Sequence, residues 1–103
     1  MKLTDIHFHD SVVYRVTEST EENSLSFEVD YPIDWDKGIY ERKVIKFMDV
    51  LDYEVHEGPF VGPPTFLEWS IVGVDNGREV VRLETNAGYR QLAFKEVELS
   101  NGT

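Results

Sequence analysis

The stretch Ser24-Leu25-Ser26-Phe27-Glu28-Val29-Asp30-Tyr31 decides the fold. Polar and apolar side chains alternate without a break, and a period of two places Leu25, Phe27, Val29 and Tyr31 on one face of a half-buried strand. Just upstream, Val12, Tyr14 and Val16 alternate with Val13, Arg15 and Thr17, and the polar run Glu18 to Asn23 joins the two segments as a hairpin. Just downstream, Pro32-Ile33-Asp34-Trp35-Asp36-Lys37-Gly38 is so rich in turn formers that it reads as a break in the ladder.

Residues 39 to 57 admit two readings. Val44, Phe47, Met48, Leu51 and Val55 would make a helical stripe. Ile45 with Phe47, then Leu51 with Tyr53 and Val55, instead form two strand halves whose phase slips by one residue near Met48 to Val50, as a bulge produces. The strand reading is favoured, because the flanking segments are extended and neither end carries a helix cap. Gly58-Pro59-Phe60-Val61-Gly62-Pro63-Pro64 follows as a stiff loop.

Asp75-Asn76-Gly77 is a hairpin signal. A three-residue loop there sets Ile71 against Val81 and Trp69 against Leu83, placing Trp69 in the core. A two-residue Asn76-Gly77 loop would set them against Arg82 and Glu84. Register follows the buried face, which favours the longer loop. By the same test a four-residue loop, Asn86 to Tyr89, pairs Leu83 with Leu92, Val81 with Phe94 and Thr85 with Arg90. After Phe94 the phase slips to Val97 and Leu99, which predicts a second bulge at Lys95-Glu96. The predicted fold is all-β: an antiparallel meander of about six strands forming a sandwich or a partly open barrel.

Composition fits a single domain over residues 1–103, with 41% hydrophobic and 13% aromatic residues to build its core. With no cysteine, disulfides and thiolate metal sites are excluded. The first ten residues show no apolar signal segment, and Ile71 to Val74 is far short of the ~20 residues of a spanning helix, so a cytoplasmic protein without a membrane partner is expected. Ten basic against twenty acidic residues give a net charge of −10, which argues against nucleic acid and favours, where there is a macromolecular partner, a basic protein. Monomer and dimer are equally open.

Two groups of residues carry candidate functions. Asp34, Trp35 and Asp36, with Tyr31 and Tyr40 at their flanks, combine aromatic anchors with acidic charge in the manner of a partner-binding loop. The competing reading is that Trp35 folds back to plug one end of the barrel. His7 and His9 in His-Phe-His-Asp stand roughly 6.6 Å apart along an extended segment, a spacing that two ligands of one metal can span, with His56 to complete the set. His-x-His is also common by chance, and Asp10-Ser11 fits a plain turn in which Asp10 caps backbone N–H groups. Ser11, His9 and Asp10 cannot converge as a triad on an extended strand. Paired acids such as Asp34/Asp36 or Glu54/Glu57 arise freely among twenty carboxylates and read as surface charge. No Gly-rich phosphate loop is present and no cofactor is implied; catalysis is not indicated.

His9-Asp10-Ser11 before the first alternating strand, a strand ending Phe47-Met48-Asp49-Val50, and the closing Arg90-to-Leu99 strand together resemble a broad group of small, largely uncharacterised bacterial β proteins. Some of these look like immunity proteins of polymorphic toxin systems. The resemblance spans most of the chain and implies an all-β fold and, for that subset, a non-catalytic protein that engages a basic partner. A metal-dependent enzyme or sensor built on His7 and His9, and a small-ligand binder using the barrel interior, are the alternatives.

Overall fold

The computed structural model describes residues 1–102 and contains eight strands. They are β1 (Val12–Ser19), β2 (Ser24–Asp34), β3 (Ile39–Met48), β4 (Leu51–Glu57), β5 (Phe66–Asp75), β6 (Arg78–Thr85), β7 (Gly88–Phe94) and β8 (Glu96–Asn101). One antiparallel sheet has the order β1-β2-β3-β8 and the other β4-β7-β6-β5, packed as a sandwich that does not close into a barrel. A short 3-10 turn over Leu3–Asp5 precedes them, and no helix among the described residues is long and apolar enough to cross a membrane.

The expected six strands become eight because both predicted bulges are places where the chain changes sheet. A one-residue phase slip reverses which side faces inward, and a corner between packed sheets demands the same reversal as a bulge within one. Residues 39–57 are extended, in two strands: β3 lies in the first sheet and β4 in the second. Asp49 and Asp52 take positive φ (56° and 53°) at that corner. The β7–β8 corner lies directly alongside, with Lys95 N–H donating to the Met48 carbonyl at 3.0 Å. Met48 pairs with Glu96 before the corner and Leu51 with Ala93 after it, so one two-stranded ribbon bends across both sheets.

Three local expectations are corrected. The ladder does not break at Pro32: β2 runs to Asp34, with Pro32 opposite Tyr40 and a bulge at Ile33. Proline has no N–H, and its nitrogen is tolerated here because β1 has already ended at the Val12–Asp30 pair. At Asn76-Gly77 the loop has two residues, both with positive φ (53° and 75°), as a type I′ hairpin requires. Ile71 still faces Val81 and Trp69 still faces Leu83, because an added bulge at Val72 restores the register. The β6–β7 loop is also two residues, pairing Thr85 with Gly88, Leu83 with Arg90 and Val81 with Leu92. That register differs from the predicted one by two positions, and a shift of two leaves every side chain on the same face, so apolar patterning cannot choose between them.

Leu25, Phe27 and Val29 from β2, Ile45 and Phe47 from β3, and Val97 from β8 meet Phe66, Val81, Leu83, Leu92 and Phe94 across the sandwich. Edge-on aromatic contacts run within the first sheet, with Phe27 and Phe47 ring centroids 5.8 Å apart, and across the layers, with Phe47 and Phe94 5.0 Å apart. The segment before β1 inserts Leu3, Ile6 and Phe8 between the sheets at one end, and Phe8 packs edge-on against Phe66 at 5.6 Å. Trp69 is only partly buried and lies against this core, 6.5 Å from the Phe8 ring. Backbone bonds from Val13 to the Pro64 carbonyl and from Phe66 to the Ser11 carbonyl, each 2.8 Å, tie the two sheets together where that segment enters.

Candidate functional site

The two candidate groups form one cluster. The β2–β3 hairpin closes through Trp35 to Gly38, with Lys37 N–H donating to Asp34 Oδ1 at 3.2 Å and Gly38 N–H to the Trp35 carbonyl at 3.2 Å. Gly38 takes φ +65°, where a side chain would be strained. This tip carries Trp35 over the segment before β1, where its ring lies 4.8 Å from His7 and 5.6 Å from His9. Trp35 stays 49% exposed, so the histidines prop it up without burying it. It does not plug the sandwich: that position belongs to Leu3, Ile6 and Phe8.

Tyr31 is corrected as a contact residue. It is buried, and its hydroxyl accepts the His7 N–H at 2.7 Å, which pins the histidine segment to the end of the inner face of β2. Asp34 is spent partly on the turn, whereas Asp36 is exposed and Tyr40 lies exposed opposite Pro32. Ile33 and Ile39, which the sequence did not single out, are also exposed beside them at 50% and 43%. The β2–β3 tip thus presents Trp35 with exposed apolar neighbours on both faces of the hairpin, Ile39 on one and Tyr40 on the other, and with Asp36 exposed beside it.

The histidines are placed in a way that the metal alternative did not anticipate. His9 Nδ1 bonds the Leu67 carbonyl at the start of β5, while His56 stands on β4 at the opposite edge of that sheet. His56 bonds Glu54 at 3.0 Å and stacks on Tyr89 with 4.7 Å between ring centroids. Among the described residues no group of three or more His, Asp or Glu side chains is placed to hold a metal ion. The Asp10-Ser11 turn is present, but Ser11 holds it: its N–H donates to the Phe8 carbonyl at 2.9 Å and its buried hydroxyl to the His7 carbonyl at 3.1 Å.

Glu57 is not the surface charge that its sequence context suggests. Arg90 grips it with two hydrogen bonds of 2.8 and 2.9 Å, and Thr85 adds a third at 3.2 Å. Both charged side chains are only 13% exposed. Arg90 also reaches the Tyr53 hydroxyl at 3.2 Å. The hydrogen bonds from Arg90 hold the Glu57 carboxyl below the usual carboxylate range, and burial pushes the Tyr53 phenol up. The signal was in the sequence: Arg90 shares the phase of Leu92 and Phe94, and a cation on an inward face needs a partner.

The fold and surface therefore define a small acidic all-β sandwich protein, with an exposed aromatic hairpin tip at one end. The chain is similar in fold to an uncharacterized protein from Neisseria gonorrhoeae, with a TM-score of 0.52 and 12% identity over 90% of this chain and 92% of that one. That likeness agrees with the resemblance to small uncharacterised bacterial β proteins. No family model and no curated protein sequence matches the chain.

Proposed function

We propose that this is a non-catalytic binding protein that engages a basic protein through the β2–β3 tip. The observation that carries the reading is Trp35, half exposed and propped on His7 and His9, with Asp36 beside it in a chain of net charge −10. Interfaces concentrate binding energy in a few aromatic anchors surrounded by polar groups, and the exposed Trp35 beside Asp36 is an anchor of that kind. The long-range field of the acidic chain attracts a basic partner and raises its association rate. An immunity-like protein that occupies a basic toxin is the specific form of this reading suggested by the sequence resemblance.

Native lysate passed over immobilised wild-type protein and over the Trp35→Ala/Asp36→Asn double variant tests it. The reading requires a basic protein that the wild type retains, that the variant releases, and whose retention falls as salt rises. If both columns hold the same proteins, the tip is not the binding surface.

A further inference from the structure

β5 is an edge strand, and its neighbours leave one stretch of it open. Asp10 N–H bonds the Phe66 carbonyl at 2.8 Å and His9 bonds that of Leu67, which closes the beginning of the strand. From Glu68 to Asp75 no strand among the described residues lies on that side. Each of the other edges has charge within the strand, Arg15 and Glu18 on β1, Asp52, Glu54 and Glu57 on β4, Glu96 and Glu98 on β8, whereas β5 has Glu68 and Asp75 only toward its ends. On β5 the run Trp69-Ser70-Ile71-Val72-Gly73-Val74 has none, and Ile71, Val72 and Val74 are 39%, 47% and 74% exposed. Natural proteins blunt a free edge with lysine, proline, inward charge or a bulge, and of these the run carries only the bulge at Val72.

Gly73 supplies a second, independent observation. A glycine inside a strand weakens it and marks a bulge, a bend or the close approach of another backbone. Its φ is not in the left-handed region, and a Cβ built on it would meet nothing within 4 Å. Gly73 is the paired residue of the Val72 bulge, opposite Val80, and neither its φ nor any close contact inside the fold requires a glycine there.

We propose that this edge pairs antiparallel with β5 of a second copy about a two-fold axis at Gly73. Such an axis, perpendicular to the sheet, brings inward side chains against inward ones and is self-complementary by construction. With Val72 bulged out, Ile71 falls opposite Val74 of the second copy and Ser70 opposite Asp75 of the second copy. Centring the axis on Ile71 would instead set Glu68 against Asp75, two like charges, so charge selects Gly73. The pairing also extends the apolar wall of a cleft of about 340 Å³ beside β5, lined in part by Leu3, Trp69, Ile71, Phe94 and Val97. A neutral strip gives a basic partner nothing to recognise, whereas it lets two acidic copies meet.

Sedimentation equilibrium on the intact protein, with Gly73→Lys and Gly73→Glu variants, tests the proposal. The open space at Gly73 lets both substitutions fold, which circular dichroism checks, and each places like charges face to face across the axis. The wild type is expected at about twice its 11.9 kDa mass, with a dimer that salt does not weaken. Each variant alone is expected to raise the dissociation constant at least tenfold, and an equimolar mixture of the two to restore the dimer. A wild type that stays monomeric up to about 1 mM overturns the proposal. So do variants that dimerise as tightly as the wild type, a mixture that stays monomeric, or open-ended aggregates in place of a closed dimer.

Discussion

Arg90 and Glu57 meet through a two-pronged ion pair, Nε to Oε2 at 2.8 Å and Nη2 to Oε1 at 2.9 Å, on the inward side of the β4–β7 pair. Thr85 and Tyr53 complete it, so the charged ends of both side chains have partners although water barely reaches them. Breaking such a pair from one side leaves a poorly solvated charge behind, which costs more than the pair itself contributes. Arg90→Ala is therefore expected to lower stability by about 2–3 kcal/mol in urea denaturation. Glu57→Gln keeps the shape but puts an NH2 donor where one acceptor oxygen faced the guanidinium. It also leaves the Arg90 charge without a counter-charge, so it should cost a comparable amount.

The same pair predicts the acid limb of the stability curve. Glu57 has a lowered folded pKa, so its contribution is complete above the unfolded value near 4.5 and fades as pH falls through the folded one. Urea midpoints measured between about pH 5 and pH 2 should fall for the wild type and fall less steeply for Glu57→Gln. Equal slopes would show that the pair is not coupled to folding.

Gly88 and Gly77 should respond differently to alanine. Gly88 lies at φ +150°, where a Cβ would collide with the His56 carbonyl oxygen and crowd the Glu57 backbone, so Gly88→Ala must push β4 away from β7. A loss of roughly 3 kcal/mol or more is expected. Gly77 sits in a positive-φ turn with open space around it, and Gly77→Ala should cost only about 1 kcal/mol. Thermal melting of the two variants side by side distinguishes a backbone collision from a turn preference.

Phe8 and Trp35 test which part of the N-terminal end is core and which is surface. Phe8 is 2% exposed against Phe66 and Trp69, so Phe8→Ala is expected to cost about 3–4 kcal/mol. Trp35→Ala should cost about 1 kcal/mol or less, because half of the ring already faces water. Comparable losses would mean that the tip belongs to the core and not to a binding surface.

Short-range patterning determined much of this molecule. The alternation from Ser24 to Tyr31 specified a strand and its buried face, and all four of its apolar residues lie in the core. The phase slips near Met48 and Lys95 marked the right places, and Ile71 and Trp69 met their expected partners. Arg90 was legible as an inward cation, although its partner was not. Partner choice depends on β4 lying beside β7, and that adjacency is set by the corner at Asp49 to Leu51.

What tertiary structure alone decided concerns contacts that no period encodes. A slip of one residue looks the same for a bulge and for a change of sheet, and only packing between layers distinguishes them. A register shifted by two preserves every face, so bonds such as Thr65 N–H to Asn86 Oδ1 at 3.0 Å, not patterning, hold the β6–β7 turn in place. The Trp35 cluster was equally hidden. His7 and His9 belong to one segment and Trp35 to another, and they meet because burial of Leu3, Ile6 and Phe8 lays the first under the tip of the second. The sequence alone determined an acidic all-β chain with the right strand faces; the joining of its two candidate groups into one surface came from hydrophobic burial at the end of the sandwich.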